Sequence, residues 1–413
     1  MSESPRGSSL ILLAVAVLLA GRAAAESRLH EVIALETPAA AGSRSPNLAA
    51  GNGWLVMSWI EPQADGHRLR YSILDGDRWS EAREVASGKD WFVNWADFPS
   101  VVPIDDSLWA AHWLVRQPAG GYAYDVHVSL SGDRGRTWSD PVLPHDDGTP
   151  TEHGFVTLFA HDGSIGLVWL DGRNMAGEPH DASGHGGMTL RYGNFFADLS
   201  ANANTEIDGL VCDCCQTDVA IADTGPVAVY RNRTEEEVRD IYVMRHLDGA
   251  WQPGRPVADD GWVIGGCPVN GPTIVAAGME VAVAWFTGAG ERSSVRMSRS
   301  SDAGATFGAP VEIAAGGSFG RTGIAFTANG DVAVSWLCRQ SAHTASVCLR
   351  EVGPQNVRGP VRVISGDDSV PALGVPQLAR HGDAVVAAWT AEQDGKTIIR
   401  SARVIRADVP AAH

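Results

Sequence analysis

A short apolar segment closing on an aromatic residue recurs along the chain, and a polar cluster follows it each time. The closing aromatics are Trp59, Trp113, Trp169, Tyr230, Trp285, Trp336 and Trp389, spaced 51 to 61 residues apart. Each segment is too short for a helix, and no period of 3.6 runs through it, so it predicts a buried strand. A second strand precedes it, opened by Pro46, Pro99 and Pro376 in three units and centred near Phe155, Val219, Thr273 and Ile324 in the others. Gly and Asp between the two strands, as at 51–53, 161–163 and 329–331, predict tight turns. Regular spacing of about this size, carried by strands alone, predicts an all-β chain folded as a β-propeller. Seven repeats predict seven blades of four-stranded antiparallel sheets, with six blades the alternative. The last repeat, from Val375, lacks a fourth strand. Residues 32–36 stand ahead of the first repeat and are expected to fill that place, closing the ring without a free edge.

The turn between the third and fourth strands carries a finer pattern. Residues 131–138 and 300–307 both read S-x-D-x-G-x-T followed by an aromatic, with Asp133 and Asp302 at its centre. Asp75 with Trp79 and Asp248 with Trp251 form shorter copies. An Asp side chain here accepts hydrogen bonds from its own turn, and glycine supplies the positive φ. The pattern is identified as the Asp-box, or BNR repeat, and by it the chain resembles the sialidase-like propellers over almost its whole length. That resemblance implies a ligand site on the face opposite the Asp-box turns, and glycoside hydrolysis if the protein is an enzyme.

Composition narrows the options. The 413 residues are 44% hydrophobic, 7% aromatic and 20% charged, as expected of a globular protein. Forty-nine acids against 32 bases give a net charge of −17, which argues against a nucleic-acid partner. Residues 10–20 form an apolar run behind Arg6, and Ala23–Ala25 follow. This is the pattern of a secretory signal peptide cleaved near Ala25, leaving residues 26–413 as one domain in the periplasm or outside the cell. The run is too short to span a bilayer, and no later stretch is long enough.

An exported protein can hold disulfides, and six cysteines are present. Cys338 and Cys348 flank one hairpin loop and are expected to pair across it. Cys212, Cys214 and Cys215 precede the fourth unit and Cys267 the fifth, so Cys267 is expected to bridge to one of the three, Cys212 among them. The remaining two would pair with each other, a vicinal Cys214–Cys215 bond being one form. The alternative use of these sulfurs is copper, with His180, His185, Met175 and Met188 of the neighbouring Gly-rich loop as further ligands. Otherwise no cofactor is expected.

Loops beyond the closing aromatics and loops between units should gather at one mouth. They bring Arg44, Arg173, Arg231, Arg233 and Arg321 together with His153, Asp97 and Asp171. Arginine forks suit carboxylates and phosphates, so the expected ligand is an anionic small molecule or glycan. Sialidases grip a carboxylate with three arginines, the first in an Arg-Ile-Pro motif. Here Arg44, Ser45 and Pro46 occupy that place, and by their location at the mouth Asp97 and Asp171 are the candidate catalytic acids. The Tyr–Glu pair of the sialidase nucleophile has no counterpart visible in the sequence. A copper or thiol-redox protein and an adhesion scaffold are the competing readings.

Overall fold

The computed structural model describes residues 30–51, 53–176, 187–198 and 200–406. The expected signal peptide, His180 and His185 lie outside the described residues. No helix among the described residues is long and apolar enough to cross a membrane.

Seven antiparallel sheets follow one another along the chain. Their innermost strands are Arg44–Gly51, Ser100–Pro103, His153–His161, Asp218–Ala222, Thr273–Ala277, Ser318–Phe326 and Gln377–His381, numbered here as blades one to seven. All seven line a central channel of about 470 Å³, which fixes the arrangement as a propeller. Blade two departs from four strands. Its ladder has three, and Val142 holds the fourth place through an isolated bridge to Val128. In blade seven the missing strand comes from the start of the chain. His30–Leu35 pairs antiparallel with Lys396–Arg406, so both ends of the ring are tied into one sheet.

The recurring aromatics explain why the blades stack. Trp59, Trp113, Trp169, Tyr230, Trp285, Trp336 and Trp389 are each at most 5% exposed, wedged between neighbouring sheets. A ring of this size buries roughly 150–250 Å², which makes these seven the main apolar contribution to blade packing. Four of the indoles also meet a carboxylate. Trp59 donates its N–H to Glu61, Trp169 to Asp171, Trp285 to Asp260 and Trp389 to Asp368. Each of these acids then binds an arginine: Arg68, Arg173, Arg296 and Arg400 respectively. This Trp–carboxylate–Arg chain is a repeated staple, although its acid comes from just after the indole in blades one and three and from the preceding loop in blades five and seven.

The turns at 131–137 and 300–306 are alike bond for bond. Asp133 accepts from the amide and hydroxyl of Thr137 at 2.9 and 2.7 Å, and Asp302 from those of Thr306 at 2.7 and 2.6 Å. In both, the preceding serine hydroxyl accepts from the glycine amide two residues past the Asp.

Candidate functional site at the channel mouth

Where the innermost strands begin, three of them bulge. Ser45, Phe155 and Arg321 all have positive φ there, 55°, 52° and 58°, and each ladder slips at that point. Such conformations cost a non-glycine residue of order 1–3 kcal/mol and gather at ligand sites. Asn270 holds the third bulge, its Oδ1 accepting from the Arg321 amide at 2.8 Å.

The arginines expected to share a ligand are divided among different tasks. Arg231 is 2% exposed, and its guanidinium donates to the carbonyls of Asn270, Arg239 and Phe286 while lying 4.9 Å from the Trp262 ring centre. It clamps blade four to blade five. Arg173 forks onto Asp171 through two 2.8 Å contacts as part of the repeated staple. Arg233 binds Glu237 and Asp213. Arg44 is exposed at the entry to blade one. Arg321 differs from these four. It lines the channel and lies 4.6 Å from the centre of the Trp95 ring, with weak 3.4 Å contacts to the carbonyls of Pro268 and Phe319. It forms no ion pair among the described residues, and its Nε is buried without a hydrogen-bond partner. Burial alone pulls its pKa down to about 10.

The two candidate acids are also separated. Asp171 is fully buried, and Arg173 and Trp169 hold it ionised against the opposing effect of burial. Asp97 lies in the channel wall and belongs to a cluster that includes Tyr124 and Glu152. The Tyr124 hydroxyl is 2.7 Å from Asp97 Oδ2 and 2.7 Å from Glu152 Oε1, while Asp97 Oδ1 accepts from the Phe155 amide at 2.9 Å. Burial pushes Asp97 up to about 7 and Glu152 up to about 8, and it raises the Tyr124 phenol too. A phenol has one proton and can donate it to one acceptor. The second 2.7 Å contact therefore needs a carboxyl that itself donates. The cluster holds one extra proton near neutral pH, shared between Asp97 and Glu152. Asp97 is 3% exposed and Tyr124 is sealed, whereas Glu152 is partly exposed.

No family model matches the chain, and no curated protein matches it in sequence. Among solved structures it is similar to the polysaccharide lyase Uly1, at 10% identity and a TM-score of 0.54, over 92% of this chain and 100% of that one. It is also similar to a protein of unknown function from Dyadobacter fermentans, with 13% identity, TM-score 0.48 and coverage of 91% and 98%. Trypanosoma rangeli sialidase follows at 11%, TM-score 0.47, and coverage of 78% and 56%. The chain shares with Uly1 a β-propeller fold.

Within this propeller, His153 is buried rather than presented to a ligand. Its ring stacks on His145 at 3.9 Å, with Nε2 3.1 Å from Asp147 and Nδ1 3.3 Å from the Tyr124 carbonyl. The cysteines pair as Cys338–Cys348, Cys214–Cys267 and Cys212–Cys215. Cys267 does bridge to the cluster, but through Cys214 and not Cys212. The vicinal Cys214–Cys215 bond is not formed: Cys215 pairs with Cys212, and both are 1% exposed. With these sulfurs in disulfides, no thiolate is left for copper. Met188 is a fully buried core residue, and Met175 packs against the same core.

The loop count places Trp95 and Glu152 at the mouth beside Asp97, but two further residues there carry no such signal: Tyr124 reads as an ordinary strand aromatic and Gln216 as a neighbour of the cysteines. Gln216 ties the mouth together by donating to the Ala96 carbonyl at 2.6 Å and accepting from the Gly271 amide at 3.0 Å.

Proposed function

We propose that the protein binds a carboxylate-bearing glycan at the channel mouth and cleaves it with Glu152 as the proton donor. Arg321 supplies the fork for the carboxylate, desolvated and free of a competing acid, and Trp95 offers a flat apolar face beside it. Glu152 delivers the proton to the departing sugar oxygen, and burial together with the neighbouring Asp97 keeps it protonated at neutral pH, against the lowering effect of the Tyr124 hydrogen bond. The observation that carries this reading is the Tyr124 hydroxyl between two carboxyls. A group kept protonated at neutral pH and open to solvent on one side has the makings of a general acid.

Because the fold is shared by enzymes of different chemistry, it does not choose the reaction. The test is a panel of sialylated, uronate-containing and neutral glycans. New reducing ends report hydrolysis, and the ultraviolet absorbance of unsaturated uronate reports elimination. Cleavage confined to acidic glycans and abolished in Glu152→Gln supports the proposal. Equal action on neutral glycans, or full activity in Glu152→Gln, overturns it.

A further inference from the structure

A second cavity opens on the end of the propeller that carries the 1–2 and 3–4 strand turns, away from the channel mouth. It lies where blade three meets blade four and measures about 410 Å³, inside the range of roughly 300–1,000 Å³ usual for small-molecule sites. Four rings form its walls: His161 at the first turn of blade three, Tyr192 on that blade's third strand, and His246 and Trp251 on the facing hairpin of blade four. They meet edge to face. His161 and His246 are 4.6 Å apart at 85°, Tyr192 and Trp251 are 5.6 Å apart at 67°, and His246 and Trp251 are 5.3 Å apart at 73°.

Two of the polar groups in this box are neutral. Burial, then the His161 ring, lowers the His246 pKa, so the His246 imidazole carries no charge at neutral pH. Burial raises the Tyr192 phenol to about 12. His161 Nδ1 and Trp251 Nε1 are buried with no hydrogen-bond partner, which leaves unmet polar capacity behind the walls. Asn194 and Thr205 add an amide and a hydroxyl, and the one acid, Asp162, sits at the rim in the turn.

We infer that this cavity is a binding site for a neutral pyranose, separate from the mouth and independent of the chemistry proposed there. A sugar ring presents an apolar C–H face for the aromatic wall and uncharged hydroxyls for the polar edges. A quaternary ammonium also suits aromatic walls, but it offers no hydrogen-bonding partner to the amide of Asn194 and the hydroxyl of Thr205 in the lining. An anion would meet no fixed cation among the lining residues.

The experiment is saturation-transfer NMR and calorimetry on the full chain with methyl glycosides of glucose, galactose, mannose and xylose. At least one should bind saturably. Binding should weaken tenfold or more in His246→Ala, and also in Ala250→Arg, which places bulk over the exposed edge of the cavity while leaving the buried rings in place. Arg321→Ala should keep it, separating this site from the mouth. Three results each overturn the inference: no binding by any glycoside, binding unchanged in both cavity variants, or tetramethylammonium bound more tightly than every sugar.

Discussion

The guanidinium of Arg321 lies 4.6 Å over the ring of Trp95, joining blade six to the loop that enters blade two. The pair meets at the channel wall, where Arg321 has no acid partner among the described residues. A cation left over an aromatic face, with its Nε buried and unbonded, is available to an incoming carboxylate. Arg321→Ala should weaken binding of an acidic glycan by about 1.5–3 kcal/mol, the worth of a charged hydrogen-bonded contact. Binding of the matched neutral glycan should hardly change. Arg321→Lys should recover only part of the loss, because a point charge cannot fork. Calorimetry with each glycan pair measures both effects.

Glu152 gives a pH signature. Its carboxyl is held at about 8, so as a proton donor it is competent below that value and spent above it. Turnover should fall as pH rises through about 8, the opposite of a base-limited profile. Glu152→Gln should lower kcat by about 10²–10⁴, the usual contribution of a positioned acid, with little change in KM. Tyr124→Phe removes a hydrogen bond that lowers both carboxyl pKa values. It should shift the alkaline limb to higher pH. Steady-state rates from pH 5 to 10 on the three proteins check the prediction.

The rhythm of the blades was legible because Trp59, Trp113, Trp169, Tyr230, Trp285, Trp336 and Trp389 are buried for one reason and recur at one phase. The strand from the chain's start was legible because blade seven ran out of residues. Partnership within the mouth was not legible. Asp97, Tyr124 and Glu152 come from two inter-blade loops and a strand start, and nothing local marks them as neighbours. Arginine and carboxylate types were visible, but their use was not. Asp171 and Arg173 looked like site residues, yet Glu61–Arg68, Asp260–Arg296 and Asp368–Arg400 perform the same stapling in other blades. Recognising that required knowing that each acid also receives an indole N–H.

Asp171 should therefore behave as a structural residue. Replacing Asp171 leaves the buried Trp169 indole without its acceptor and Arg173 with only its 3.5 Å contact to Asp147, at a cost of about 3 kcal/mol. The loss should track burial of the pair. The Asp171 and Arg173 side chains are 0% and 19% exposed, Asp260 and Arg296 are 3% and 31%, and Asp368 and Arg400 are 23% and 43%. Thermal unfolding of the three Asp→Ala variants should give the largest drop in Tm for Asp171 and the smallest for Asp368. If Asp171→Ala kept the parental Tm while losing activity, the structural assignment would fail.

Asp97 should also set a stability profile. Its folded pKa is about 7, raised by burial, whereas an unfolded aspartate titrates near 4. Between those values the unfolded chain gives up the proton and the folded one keeps it. The contribution of this group is most favourable below about pH 4, declines as pH rises to 7, and is flat beyond. The decline is at most about 4 kcal/mol, taking about 1.4 kcal/mol for each pKa unit. Burial also raises Glu152 to about 8 and Asp218 to about 7, so urea titrations from pH 4 to 8 should show a slope with all three contributing, and Asp97→Asn should reduce it without abolishing it.

The Cys214–Cys267 bond ties the loop entering blade four to the loop entering blade five and closes a span of 53 residues. Loop-closure entropy for that length predicts about 4 kcal/mol of stabilisation. Cys338–Cys348 spans only 10 residues across one hairpin and should matter less, about 2–3 kcal/mol on the same model. The double variant Cys214→Ser with Cys267→Ser should lose more stability than Cys338→Ser with Cys348→Ser. Its unfolding should start with the mouth loops, visible as early hydrogen exchange around Gln216 and Gly271, whose bond spans the same two blades. Thiol titration of the parent protein should find no free cysteine in the absence of reductant. Equal losses in the two double variants would mean that the inter-blade link adds nothing beyond a hairpin staple.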